Sequence, residues 1–87
     1  MNYIYLISDN KNMKIGFSKH PLKRLKQLQI GNANKLELVY AKPAKNARKI
    51  EKHLHKILWQ FRSKYKSEWF TIQPETWLLN YIDELIK

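Results

Sequence analysis

The amino-acid sequence predicts a small α+β domain in which helices flank a three-stranded antiparallel sheet. Two apolar segments with strand-like alternation, residues 3–8 and 13–18, are separated by four turn-forming residues, which is typical of a β-hairpin. Three later segments carry apolar residues at helical spacing instead. The order of these segments predicts a ββαβα core with a further C-terminal helix, arranged as a small α/β sandwich.

The alternation within the hairpin predicts which side chains share a face of the sheet, because successive residues of a strand point to opposite faces. The most apolar alternate positions are expected to face the core: Ile4, Leu6, Met13, Ile15 and Phe17. The opposite face then carries Tyr5, Lys14 and Gly16.

The first helix is expected to begin at Pro21, since proline is tolerated at the first helical position. Leu22, Leu25 and Leu28 form its predicted buried stripe. Gly31 is expected to end the helix in the left-handed conformation that glycine tolerates.

The remaining elements are each bounded by a turn-forming or capping residue. We expect a strand at 36–41, a helix from Asn46 to about Arg62, a short extended segment at 68–72 and a helix that opens at Pro74.

The charge balance is strongly positive, with 17 Lys and Arg against seven Asp and Glu and a formal net charge of +10. Such a field in a short chain indicates a polyanionic partner, DNA in the first place and RNA as the alternative. A lysine-rich surface that only keeps the protein soluble is the simpler interpretation. A membrane partner is disfavoured, because the basic residues do not gather on one face of a long amphipathic helix.

The absence of cysteine excludes a disulfide framework and a thiolate zinc site. The longest N-terminal apolar run, Ile4 to Ile7, is too short for a signal peptide. We therefore expect a single domain over residues 1–87 in a reducing, cytoplasmic location.

The longest predicted helix carries a carboxylate on its apolar stripe. Glu51 lies four residues after Ala47 and three before Leu54, between positions expected to face the core. An unpaired buried charge is costly, so we expect either a cationic partner (an Arg, a Lys or a metal ion) or a place at the edge of the stripe where the side chain reaches water. His55 lies one turn further on the same face, whereas His53 points elsewhere.

Several short segments occur in an informative order. They are Tyr3-Ile4-Tyr5-Leu6-Ile7, Lys14-Ile15-Gly16-Phe17-Ser18, an arginine eight residues after that glycine, Ile50-Glu51-Lys52-His53-Leu54-His55, and Glu68-Trp69-Phe70. The set resembles the GIY-YIG nucleases, in particular a compact phage and bacterial branch whose second motif reads KIG. The resemblance covers roughly residues 3–72.

The resemblance implies a metal-dependent endonuclease that hydrolyses DNA with a single Mg²⁺ or Mn²⁺ ion. By position, Tyr5 matches a tyrosine near the attacking water, Arg24 an arginine that contacts the scissile phosphate, and Glu51 the carboxylate that holds the metal. Gly16 matches a glycine that lets backbone or substrate come close. Lys14 would either favour the deprotonated phenol of Tyr5 or bind phosphate itself. The residues expected to bind nucleic acid are Lys14, Lys19, Lys23, Arg24, Lys26 and His55.

The chain departs from the family pattern at three positions. Tyr3 stands for the glycine of the first motif, Lys14 for the tyrosine of the second, and Leu28 where many members have a histidine. These departures leave the proton transfer unassigned, and a non-catalytic nucleic-acid-binding module of the same fold is the competing interpretation.

The site residues also have structural alternatives. Tyr5 could be a half-buried strand aromatic, and Arg24 a solvated helix arginine. Trp69 and Phe70 are expected in the core rather than as a base-stacking platform, and the role of Glu68 is open.

Overall fold

The computed structural model describes residues 1–63 and 69–87. In chain order the elements are β1 (Tyr3–Ser8), β2 (Met13–Ser18), α1 (Pro21–Ile30), β3 (Glu37–Pro43), α2 (Ala47–Ile57), a 3-10 turn (Trp59–Phe61), β4 (Trp69–Phe70) and α3 (Thr76–Ile86). The predicted α+β class is confirmed. Within the described residues, no helix is long and apolar enough to cross a membrane.

The sheet is antiparallel and has four strands in the order β3-β1-β2-β4. The prediction of three strands was one short. The extended segment was expected, but its pairing was not: Trp69 lies opposite Lys14, and Phe70 opposite Met13. Strand β4 therefore pairs with the first two residues of β2. Glu68, at the start of the predicted segment, lies outside the described residues.

Helices cover both faces of the sheet, which explains why both sides of the hairpin are buried. The larger core lies beneath α2 and α3, and it contains Ile4 and Leu6 together with Leu54 and Leu78. The smaller core lies beneath α1, where Tyr5 packs with Ile7, Leu36 and Trp69, and Leu25 and Leu28 pack against them. The predicted division of the hairpin into two faces is therefore confirmed.

The ends of α1 differ in detail from the prediction. Gly31 has φ −93°, so it is not in the left-handed conformation. Leu22 is 65% exposed. It is not part of the buried stripe, because α1 contacts the sheet through Leu25 and Leu28.

The other element boundaries shift where the chain changes direction. Helix α2 ends at Ile57 and not near Arg62, because the chain tightens into the 3-10 turn and then bridges from Arg62 to Phe70. Strand β3 extends to Pro43, which an edge strand allows since the missing N–H is not needed for pairing. Helix α3 begins at Thr76 and not at Pro74.

Candidate functional site

A pocket of about 230 Å³ lies beside the second half of β2, beyond the point where β4 stops. Its lining combines cationic, acidic, phenolic and imidazole groups: Tyr5, Lys14, Ile15, Gly16, Phe17, Arg24, Glu51 and His55. The pocket thus brings together all four residues predicted from the sequence to be catalytic, together with Gly16 and His55.

Two helices from opposite faces of the sheet supply the charged groups. Arg24 comes from α1, whereas Glu51 and His55 come from α2. Side chains on opposite faces of a sheet can approach each other only around an edge. Among the described residues, β4 pairs with Met13 and Lys14 of β2, and the pocket lies beside the residues that follow in that strand.

Tyr5 and Gly16 face each other directly across the β1–β2 ladder. A Cβ atom placed on Gly16 would stand 2.5 Å from the Tyr5 Oη atom and 2.6 Å from Cζ. Such distances are well inside van der Waals contact, so the phenol ring can lie over residue 16 only if that residue is glycine. The absence of a side chain at Gly16 was expected to let backbone or substrate come close. In the structure the Tyr5 ring occupies this space.

Glu51 is half-buried at the edge of the α2 apolar stripe, next to the buried Ala47, Ile50 and Leu54. This agrees with the expected place at the edge of the stripe, since the side chain also lines the pocket. Lys14 is only 4% exposed and lines the same pocket. A buried ammonium is tolerated where it is compensated by polar or acidic groups, and Glu51 brings the opposite charge to this pocket.

His55 is held in one orientation. Its Nε2 atom lies 2.9 Å from the carbonyl oxygen of Ile15, and its ring packs edge-on against Phe70 with a centroid distance of 5.1 Å. A carbonyl only accepts hydrogen bonds, so Nε2 carries the proton, and Nδ1 is the unprotonated nitrogen when the ring is neutral. His53 instead bonds to the hydroxyl of Tyr81 on α3, at 2.7 Å. His53 therefore points away from His55, as predicted.

The pocket offers few side chains that could bind a metal ion. Among the described residues, no group of three or more His, Cys, Asp and Glu side chains could hold a metal. The pocket offers one carboxylate, Glu51, and one imidazole, His55. Mg²⁺ keeps several of its waters and binds through one or two carboxylates, so this set fits a hydrated magnesium ion better than a fully coordinated transition metal.

The other predicted nucleic-acid-binding residues lie outside the pocket. Lys19 and Lys23 are exposed and line a separate apolar groove of about 650 Å³ with Tyr3, Leu22 and other residues near the start of α1. None of the described residues that line this groove is a carboxylate, so it lacks the combination of acidic and basic groups found in the smaller pocket. Lys26 is exposed on α1. Trp69 and Phe70 are buried, which confirms their place in the core.

Sequence analysis missed the contribution of the Ile15 carbonyl, which orients His55. A backbone carbonyl has no residue-type signature, so the sequence does not mark it as a hydrogen-bond partner of a side chain. Sequence analysis also missed the apolar groove, whose lining comes from β1, α1 and β3.

These features define a class of protein: a small, basic α+β domain with a polar pocket at the edge of its sheet. Over residues 2–86 the chain matches the T5orf172 domain, and it belongs to that family. The family is phage-like, nuclease-associated and DNA-binding. No curated protein and no solved structure matches the chain.

The assignment to the GIY-YIG nucleases is therefore wrong, because the T5orf172 domain is a distinct family. The motifs that suggested it are short, and Tyr3 occupies the glycine position of the first one. A hairpin, an arginine and a glutamate in the right order were not specific enough to identify the family.

Proposed function

We propose that this protein is an endonuclease that hydrolyses phosphodiester bonds in DNA with the help of one divalent metal ion. The observation that carries the proposal is the pocket at the β2 edge, which gathers Tyr5, Lys14, Arg24 and Glu51 from four different elements. The net charge of +10 supplies the attraction for a polyanion, and the pocket supplies groups that could act on it.

Arg24 and Lys14 are assigned to the phosphate. The planar guanidinium of Arg24 can donate two parallel hydrogen bonds to phosphate oxygens, which fixes the group as well as neutralising it. Lys14, whose side chain is buried, contributes a positive charge in a site with little water, where electrostatic stabilisation is stronger.

Hydrolysis requires a water oxygen to attack phosphorus and to lose a proton, while one P–O bond breaks and the leaving oxygen takes up a proton from solvent. The Tyr5 hydroxyl is assigned to orienting that water. The unprotonated Nδ1 of His55 is a further acceptor for its proton. Glu51 would hold a hydrated Mg²⁺ or Mn²⁺ ion, which would supply charge neutralisation at the phosphate.

The test compares wild-type protein with Glu51→Gln on supercoiled and single-stranded DNA, in magnesium, in manganese and in chelator. We expect cleavage only with a metal ion, no cleavage by Glu51→Gln, and unchanged DNA binding in the variant. Glu37→Gln is the matched control, because Glu37 is an exposed glutamate on β3 outside the pocket. It should cleave like wild type.

Three outcomes would contradict the proposal in different ways. Cleavage that persists in chelator would remove the metal ion from it. Full activity of Glu51→Gln would remove the role of Glu51. DNA binding by wild type without cleavage under any condition would favour a non-catalytic DNA-binding module.

A further inference from the structure

Trp59 begins the 3-10 turn after α2 and is 63% exposed, although tryptophan is highly buried on average. The guanidinium of Arg62 lies over its ring, 4.3 Å from the ring centroid. This cation–π contact holds the indole in place from one face, and most of the remaining ring surface meets solvent.

Trp59 follows α2, the helix that carries two residues of the pocket, Glu51 and His55. Glu51, His55 and Trp59 are spaced by four residues, and residues four apart lie on the same flank of a helix. The Leu58 N–H still bonds to the Leu54 carbonyl at 3.0 Å, so helical geometry continues up to the residue before Trp59. The indole therefore extends the flank that carries Glu51 and His55, about 6 Å beyond His55 by the helical rise.

The surroundings of this flank favour an anionic partner. The exposed side chains of α2 include four cations, Arg48, Lys49, Lys52 and Lys56. The single acidic residue of α2 is Glu51, which lines the pocket. A fixed aromatic ring beside a row of cations is the combination that binds single-stranded nucleic acid, where cations follow the backbone and bases stack on aromatic rings.

We propose that Trp59 is a stacking platform for an unpaired base of the DNA strand whose phosphate enters the pocket. The identity of this strand as the substrate rests on the proposed function. Within a duplex, the faces of a base are covered by its neighbours. The platform therefore selects DNA that is single-stranded, or that has a free end or an opened base, beside the bound phosphate.

The chain offers a matched control for this proposal. Trp77 is also exposed, at 49%, but it lies on α3. Its indole N–H bonds to the Glu75 carboxylate at 3.0 Å, which places it next to negative charge.

The experiment measures binding to a single-stranded and to a duplex oligonucleotide in chelator, at one low salt concentration. Trp59→Ala should weaken single-strand binding by about tenfold or more, which corresponds to the loss of one stacked base. Duplex binding should change by less than about threefold, Trp59→Phe should keep part of the affinity, and Trp77→Ala should bind like wild type. Tryptophan fluorescence should be quenched by single-stranded DNA in wild type and in Trp77→Ala, but much less in Trp59→Ala.

The stacking role of Trp59 would be contradicted by equal losses of affinity for single-stranded and duplex DNA. It would also be contradicted by equal losses of affinity in Trp59→Ala and Trp77→Ala. Trp59→Phe keeps an aromatic ring at the turn, so it separates the loss of stacking from a loss of folding. These binding measurements do not depend on cleavage. A protein that shows the Trp59 effect but never cleaves DNA would refute the proposed endonuclease and leave the platform standing.

Discussion

The contact between the Tyr5 ring and the backbone of Gly16 sets a strict steric limit on the pocket. Gly16→Ala should destabilise the protein by about 1–3 kcal/mol, because the new methyl group must displace a ring that is otherwise 2% exposed. Cleavage should fall as well, since the displaced hydroxyl no longer faces the pocket. Urea denaturation and a cleavage assay measure the two effects.

Gly31→Ala is the control for this substitution. Gly31 has an ordinary negative φ of −93°, and a Cβ atom there would meet nothing within 4 Å. The substitution should stabilise the protein by about 0.4–1 kcal/mol, by restricting the unfolded chain. If Gly31→Ala destabilised the protein and Gly16→Ala did not, the expectations for both positions would be wrong.

The arginine of the pocket gives a second prediction at the level of single residues. Arg24→Lys should lower the cleavage rate by more than tenfold, about 1.4 kcal/mol in the barrier, because an ammonium cannot reproduce the two-point contact of a guanidinium. DNA affinity should change little among so many other cations. Single-turnover kinetics separate rate from affinity, and Arg48→Lys, at an exposed position on α2, is the control. Equal losses of rate and affinity would make Arg24 a general electrostatic contact.

The sequence was informative about individual residues where strand periodicity applies. The alternation of the hairpin was enough to place Tyr5, Lys14 and Gly16 on one face. Their proximity to Arg24 and Glu51 came only from a resemblance, because no local rule relates α1 to α2. The hydrogen bond from His55 to Ile15 was not predictable, since a backbone carbonyl has no residue-type signature.

Among the elements, β3 and α3 are joined by a polar contact away from the pocket. The Tyr40 hydroxyl donates to Oδ1 of Asp83 at 2.6 Å, and Lys42 Nζ lies 2.7 Å from the same oxygen. The hydrogen bond from Lys42 has the larger effect and that from Tyr40 the smaller, and both lower the pKa of Asp83 below its ordinary value. Burial, and then the neighbouring carboxylate, raise the pKa of Tyr40.

A lowered pKa of Asp83 makes the stability of this contact depend on pH. A carboxylate whose pKa is depressed by folding stabilises the protein above its unfolded pKa of about 3.9, and the stabilisation is lost as the pH falls below that value. Asp83→Asn should therefore be less stable than wild type at pH 7, and the difference should shrink at about pH 3. Denaturation curves at both pH values test this expectation.

Glu84→Gln is the control at the same end of α3, since Glu84 meets Lys87 at 3.3 Å on the exposed surface. It should have little effect on stability at either pH. A difference between wild type and Asp83→Asn that stays constant from pH 7 to pH 3 would exclude an electrostatic origin.

Element types were easier to predict than their ends and partners. The apolar periodicity gave all three helices and the hairpin. It could not show that α2 stops at Ile57, because the tighter turn that follows is imposed by the bridge from Arg62 to Phe70. Nor could it pair Trp69 and Phe70 with β2, a contact between segments more than 50 residues apart.

For the whole molecule, the excess of positive charge should govern the proposed association with DNA. Affinity should fall steeply with added salt, with a log–log slope of about −0.9 for each phosphate neutralised on duplex DNA. Lys23→Gln, on the exposed side of α1, should reduce the steepness by about one unit. Lys87→Gln, near Glu84 at the far end of α3, should not change it. Titrations at four or more salt concentrations measure the slope, and an affinity independent of salt would contradict a phosphate-dominated interface.

At this largest scale, the pattern of the sequence was sufficient for the α+β class, and the charge indicated a nucleic-acid partner with which the family is consistent. They were not sufficient for the family, because short motifs recur by chance more readily than a match that spans residues 2–86.

The pocket beside β2 has a consequence for how far this protein can be stabilised. Larger apolar side chains in its lining would bury more surface between the helices and the sheet. They would do so by filling the opening that Arg24 of α1 and Glu51 of α2 both border. Substitutions that improve the thermal resistance of this region should therefore cost activity, whereas stabilisation at α3, none of whose described residues lines the pocket, should be compatible with it.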